Sequence, residues 1–203
     1  MKETPLLFKP EMVKASLADI KTQTRRIVKI QPMEVGAVKF TQHWEQRDHW
    51  YFTSNSGRCG IFDPQFIKCP YGVPGDHLWV KETFAVASCY DHLKPSQLGF
   101  LLEKNIEYQA TDDFLDDVRG RIRQSIFMPK RFSRITLEIT DIRLEQLQNI
   151  TSDECLKEGV DDSLVRKWGP EAAFQYLWDS INPLYPWWHN PWVWVITFRR
   201  LCQ

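Results

Sequence analysis

Lys21-Thr22-Gln23-Thr24-Arg25-Arg26 stands where one hydrophobic period gives way to another. Upstream, Pro10 suits a first helical turn, and Met12, Val13, Ser16, Leu17 and Ile20 recur at helical spacing, so a helix is predicted over about residues 10–20. Downstream, Thr, Ile and Val dominate as far as Val28, which predicts a strand. Alternation then sets Thr22, Thr24 and Arg26 on one side and Gln23 and Arg25 on the other. An amine, two hydroxyls and two guanidinium forks are thereby gathered at a helix–strand junction. No other stretch is as dense in groups that bind an anion or activate a nucleophile.

Further strands follow. Gly75-Asp76 introduces His77 to Lys81, with Leu78 and Val80 on one face and Trp79 and Lys81 on the other. Ile135, Leu137, Ile139, Ile142 and Leu144 mark one or two core strands before Leu147. Val193 to Phe198 is continuously apolar and reads as a strand buried on both faces. Thr151 and Glu154 form a capping box that opens a helix running to Glu158 and stopping at Gly159. A second helix over about 170–181 places Ala173, Phe174, Leu177, Trp178 and Ile181 on one face. Residues 31–68 and 84–133 fit this frame as insertions. The first holds hairpin-like runs at 37–40 and 50–53, with a turn at Asn55-Ser56-Gly57. The second holds a short strand at 106–110 and an acidic turn from Asp112 to Asp117. Mostly antiparallel strands with helices between them predict an α+β domain or a small barrel, and 203 residues suit a single domain.

Lys+Arg and Asp+Glu balance at 26 each, so no global field draws the chain to nucleic acid or membrane. There is no signal-peptide layout and no apolar run near the roughly 18 residues of a membrane span. Five irregularly spaced cysteines argue against a disulfide framework, and a reduced, cytoplasmic chain is expected. Cys59 and Cys69, with His43 or His49 upstream, lack the tight Cys-x2-Cys pair of structural zinc sites, so neither metal nor cofactor is expected. Charge is local instead. Arg119, Arg121, Arg123, Lys130, Arg131 and Arg134 run without an acidic residue among them, interleaved with Phe127 and Phe132. Such a stretch tracks a phosphate backbone and stacks bases, or else it is a solvated rim.

Taken in order, these segments resemble the ASCH domains, a branch of the PUA-like β-barrel superfamily. The helix with Lys21 to Arg26, the Gly75-Asp76 turn and strand, the strand from Ile135 to Thr140, the capped helix ending at Glu158-Gly159 and the strand from Val193 to Arg199 carry the likeness. It covers roughly half of the residues and is similar to the longer, prophage-type members. The glycine usual before the signature lysine is replaced by Ala18-Asp19-Ile20; Asp tolerates the left-handed conformation, so the turn is still available. The resemblance implies a small barrel of mostly antiparallel strands with flanking helices and two insertions. It also implies a nucleoside, or an RNA or DNA base, as ligand.

Small bacterial members deacylate N4-acetylcytidine, and their lysine, threonine and glutamate fall on Lys21, Thr24 and Glu158. On that pattern Thr24 is the nucleophile, Lys21 its base once burial and neighbouring cations lower its pKa, and Glu158 the acid for the leaving amine. Arg25 and Arg26 suit a carbonyl or oxyanion, Trp79 and Lys81 could line the same cavity, and Glu82 is a substitute acid. A non-catalytic reader of modified bases and a ribonuclease are the alternatives that the residues leave open. Strict alternation parts Lys21 from Thr24, so convergence depends on the turn before Lys21.

Overall fold

The computed structural model describes residues 1–29, 31, 38–42, 49–54, 66–98, 106–111 and 120–201. Its strands are β1 (Glu3–Leu7), β2 (Gln23–Ile27), β3 (Val38–Gln42), β4 (His49–Ser54), β5 (Phe66–Lys68), β6 (His77–Lys81), β7 (Phe84–Val86), β8 (Ile106–Tyr108), β9 (Thr136–Gln146) and β10 (Trp192–Leu201). Its α-helices are α1 (Pro10–Leu17), α2 (Ser152–Lys157), α3 (Asp162–Trp168) and α4 (Pro170–Ile181). The class is α+β. Among the described residues, no helix is long and apolar enough to cross a membrane.

Five strands form the main sheet in the order β1-β6-β9-β10-β2. All neighbours in it are antiparallel except β1 and β6, which run parallel with Glu3 opposite His77. Pro5 hides β1 from a propensity reading, because it cannot donate to a ladder; the position of β1 at the sheet edge tolerates it. β10 organises the rest. Its alternation sends Trp194, Ile196 and Phe198 into one core with Leu6, Phe8, Val13, Leu78 and Leu137. Val193 and Val195 enter a second core with Cys155, Phe174 and Trp178 from α2 and α4. Apolar burial on both faces explains why its sequence shows no polar period.

β9 accommodates a phase change. Ile139 and Ile142 are both buried although an odd number of positions apart, and the register slips there, from Phe198 opposite Ile139 to Thr197 opposite Asp141. Thr140 is the extra residue of a bulge, so one strand serves where two were conceivable. Within residues 38–68, β3, β4 and β5 form a separate antiparallel sheet. Trp50 ties it to the main core by an edge-to-face contact with Trp194 at 6.0 Å. Further on, β7 pairs with β8 over a small core of Phe84, Val86, Leu98, Met128 and Phe132. The Asn55-Ser56-Gly57 turn, the acidic run from Asp112 to Asp117, Arg119, His43 and Cys59 lie outside the described residues.

Two expectations are corrected at α1. The helix ends at Leu17, and Ile20 is exposed rather than part of the apolar face, because Asp19 turns the chain with φ 56°. Asp19 is held there by paired hydrogen bonds from Arg200, at 2.9 and 2.8 Å. α3 escaped the reading since its exposed surface carries no strong period; Asp161 as N-cap, accepting from the Ser163 amide at 2.7 Å, was the signal available. α2 starts on Thr151 with the capping box intact and ends at Gly159, φ 73°.

Gly159 carries a second constraint. A Cβ there would lie 2.7 Å from Ala15 Cβ and 3.0 Å from Lys21 Cβ. Gly159→Ala combines a left-handed backbone penalty with overpacking, and should cost about 3 kcal/mol of stability in urea unfolding. An unchanged midpoint would mean that the α1–β2 turn yields without cost.

Candidate functional site

The left-handed turn at Asp19 delivers Lys21 to the side of the sheet shared by Thr24 and Arg26: Lys21 Nζ and the Arg26 guanidinium lie over the same Phe8 ring, at 5.3 and 6.0 Å. Lys21 is buried, and its three hydrogens have three acceptors. These are the Glu158 carbonyl at 2.6 Å, the Gln23 carbonyl at 2.9 Å and Glu158 Oε2 at 3.0 Å. An amine donating three times is an ammonium. It also closes the C-terminus of α2, where the Lys157 carbonyl accepts from the Thr22 amide at 3.0 Å. Burial pulls the Lys21 pKa below its ordinary value, with small contributions from Arg26 and Arg25, while Glu158 pulls it back up.

Arg25 occupies the other side of the strand. Its Nη1 donates to Gln23 Oε1 at 2.9 Å and to Glu158 Oε1 at 3.2 Å. Its Nη2 donates to Glu145 Oε1 at 2.5 Å and Glu154 Oε2 at 3.0 Å, and Arg143 joins Glu154 and Glu145 from β9. The outer nitrogens of Arg25 are thus spent on three carboxylates, and these contacts make it the holder of Glu158. Glu158, 4 % exposed at its side chain, lies between two buried cations with one oxygen for each.

Arg26 is differently placed. Nη2 donates to the Leu7 carbonyl at 2.8 Å, which ties β2 to β1, the two edges of the sheet. Nε is buried without a partner, and among the described residues no carboxylate pairs with this guanidinium. Thr24, Arg25, Arg26 and Glu158 line one cleft, closed from the α4 side by Trp178 and Asn182. As described it measures about 20 Å³, room for roughly one water, so a ring enters only when its walls part. No carboxylate or amine contact occupies the Thr24 hydroxyl among the described residues.

The other candidates fall elsewhere. Lys81 Nζ lies 5.4 Å from the Trp79 ring and donates to the Ile126 carbonyl at 2.5 Å. Glu82 is buried and takes a bidentate pair from Arg134 at 2.9 and 2.8 Å. None of Trp79, Lys81 and Glu82 lines the cleft. Much of the basic stretch is engaged within the chain. Arg123 is buried and faces Asp91 at 3.4 Å, Lys130 pairs with Glu3, and Arg131 holds the carbonyls of Pro95, Ser96 and Leu98. Arg121 is exposed, as are Ile122, Ile126 and Phe127. Among the described residues no group of three or more His, Cys, Asp or Glu is placed to hold a metal ion, and Cys69 is buried.

Sequence reasoning singled out Lys21, Thr24 and Glu158 but missed Gln23 and Glu145, which hold Arg25, and Arg143, which pairs with Glu145 and Glu154. It gave Glu154 only its capping role. Glu158→Gln leaves two cations facing a neutral amide, and a buried pair broken from one side costs about 3–5 kcal/mol, readable as a lower urea midpoint; an unchanged midpoint would place Glu158 in contact with solvent. Burial raises the Cys155 thiol from 9.0 to about 12. Between those values the unfolded chain ionises first, so this group's contribution to stability falls as pH rises above 9.0. Iodoacetamide at pH 8 should therefore spare Cys155 in the native protein while modifying exposed Cys89, as read by peptide mass spectrometry. Comparison with protein-family models, curated proteins and solved structures found no match for this chain.

Proposed function

We propose that this chain is a PUA-like protein of the ASCH type whose cleft receives a pyrimidine nucleoside and removes an acyl group from N4-acylated cytidine. The reading rests chiefly on the 3.0 Å contact of Lys21 with Glu158, residues 137 positions apart, beside a cleft lined by Thr24. That proximity supports the Lys21–Glu158 part of the triad implied by the resemblance, and Thr24 shares the cleft with Glu158. The α+β sheet with its two insertions is compatible with the implied fold.

The charges define a resting state. With Lys21 protonated and Glu158 ionised, neither can perform its task. A proton passed from Lys21 Nζ to Glu158 Oε2 supplies a base and an acid together, and burial, which lowers the Lys21 pKa, favours its release from the amine. Lys21 then takes the Thr24 proton as Oγ1 adds to the acyl carbonyl, and Arg26 Nε donates to the developing oxyanion. The C–N4 bond breaks as Glu158 protonates the leaving amine, which leaves an ester on Thr24. Water adds to that ester and gives a proton to Glu158. Lys21 returns its proton to Thr24 as the carboxylic acid departs.

A second reading, a non-catalytic reader of a modified base, draws on the full hydrogen-bonding of Lys21 and the narrow cleft. Incubation with N4-acetylcytidine separates the two. Turnover should appear, and Thr24→Ala or Lys21→Ala should each lower it roughly a thousandfold or more. Arg26→Met should lower kcat by about a hundredfold. No turnover by the wild type, together with salt-sensitive oligonucleotide binding, would establish the reader instead.

A further inference from the structure

A second cleft, of about 220 Å³, lies at the other end of the α4–β10 connection. Gln31, Gln146, Tyr185, His189, Asn190 and Trp192 line it. No lysine, arginine or carboxylate is among its walls, so neither a phosphate nor a cation is its natural occupant. It offers aromatic faces and carboxamides. Gln31 is fully committed: its Nε2 donates to the Val28 and Trp192 carbonyls at 2.6 and 3.1 Å, and its Oε1 accepts from the Trp192 amide at 2.8 Å. Asn190 Oδ1 accepts from the Gln148 amide at 2.8 Å, which leaves its NH2 group. The Gln146 carboxamide, the Tyr185 hydroxyl and the His189 imidazole make no hydrogen bond to another side chain or backbone group among the described residues. Trp188, 73 % exposed, stands against the His189 ring at 3.8 Å and extends the aromatic surface outward.

A planar ring with donors and acceptors on its edge satisfies both halves of this lining, stacking on the rings and pairing with the amides. The volume is below that of a drug-sized site and suits one such ring. The walls of the two clefts are linked by hydrogen bonds. Asn182 lines the first and Tyr185 the second, and a tight turn closes between them with the Tyr185 amide donating to the Asn182 carbonyl at 3.0 Å. Trp178, a wall of the first, donates its indole N–H to the Tyr185 carbonyl at 2.8 Å. On the sheet side, Thr24 to Arg26 serve the first cleft and Gln31, four residues beyond β2, serves the second.

We propose that the second cleft is a subsite for an unmodified nucleobase next to the one held in the first, so that the ligand is a short single-stranded oligonucleotide rather than a free nucleoside. That both clefts serve one ligand rests on the nucleobase reading of the first cleft; the chemistry of the second stands on its own lining. Three probes test it by calorimetry: free N4-acetylcytidine, a trinucleotide RNA with N4-acetylcytidine at its centre, and the same RNA unmodified. The modified trinucleotide should bind wild-type protein roughly tenfold or more tighter than the nucleoside. Gln146→Ala combined with Tyr185→Phe, both at part-exposed side chains, should abolish that gain and leave nucleoside affinity unchanged. Thermal unfolding of the double variant checks that its fold is intact. If the unmodified RNA binds, loses affinity in the double variant and no probe is deacylated, the second cleft stands while the amidohydrolase reading falls. Equal affinity for nucleoside and trinucleotide, or a double variant that binds RNA as wild type does, overturns the proposal. So does a neutral sugar such as maltose, with RNA inert, shifting the indole NMR signals of Trp188 and Trp192.

Discussion

A single carboxylate holds the site together. Glu158 is buried, and its two oxygens face Lys21 at 3.0 Å and Arg25 at 3.2 Å. Three charges withdrawn from water carry desolvation penalties of several kcal/mol each, which are offset only while the geometry holds. Lys21 and Arg25 lie on opposite sides of the chain around β2, and Glu158 reaches both because it terminates α2 against the sheet edge. The position of that helix end therefore fixes the site. The Arg25–Glu145–Glu154–Arg143 contacts extend the constraint to β9, so displacement of one element exposes charge on another.

The absence of a side chain at Gly159 belongs to the same arrangement. α2 approaches α1 and Lys21 so closely that a methyl group would collide with both. The positive φ at Asp19 is the complementary device on the facing turn, secured by Arg200 from β10. Two local backbone departures, one on each side of the contact, let an amine and a carboxylate meet deep in the protein. Arg26 remains apart from this balance. It fastens the two sheet edges through the Leu7 carbonyl and keeps an unpartnered N–H beside the cleft.

Much of this was legible in the residues, for identifiable reasons. Capping boxes and continuous apolar strands are local signals, so α2, β10 and the core face of β6 could be read directly. Lys21, Thr24 and Glu158 were proposed as a set through resemblance, whereas the meeting of Lys21 with Glu158 follows a turn in which Asp19 takes the left-handed region usually left to glycine. What escaped was non-local. Neither the parallel pairing of β1 nor the engagement of Arg25 by Glu145 has a signature in sequence spacing, because each depends on what the sheet brings alongside. The basic stretch from Arg119 to Arg134 shows the converse. Its charge was plain, yet Asp91, Glu3 and Glu82, its partners, came from distant parts of the chain.

The strand order has a consequence for the chain during synthesis. β2 is hydrogen-bonded only to β10 within the main sheet, and Gln23 meets Thr197 from 174 positions further on. The residues of β2 thus have no sheet neighbour until β10 has been made. Until then Lys21 and Arg25 are hydrated cations on an unpaired segment, a state that resists premature collapse and keeps an otherwise sticky edge soluble. Assembly of the site therefore requires β10, the strand with which β2 pairs.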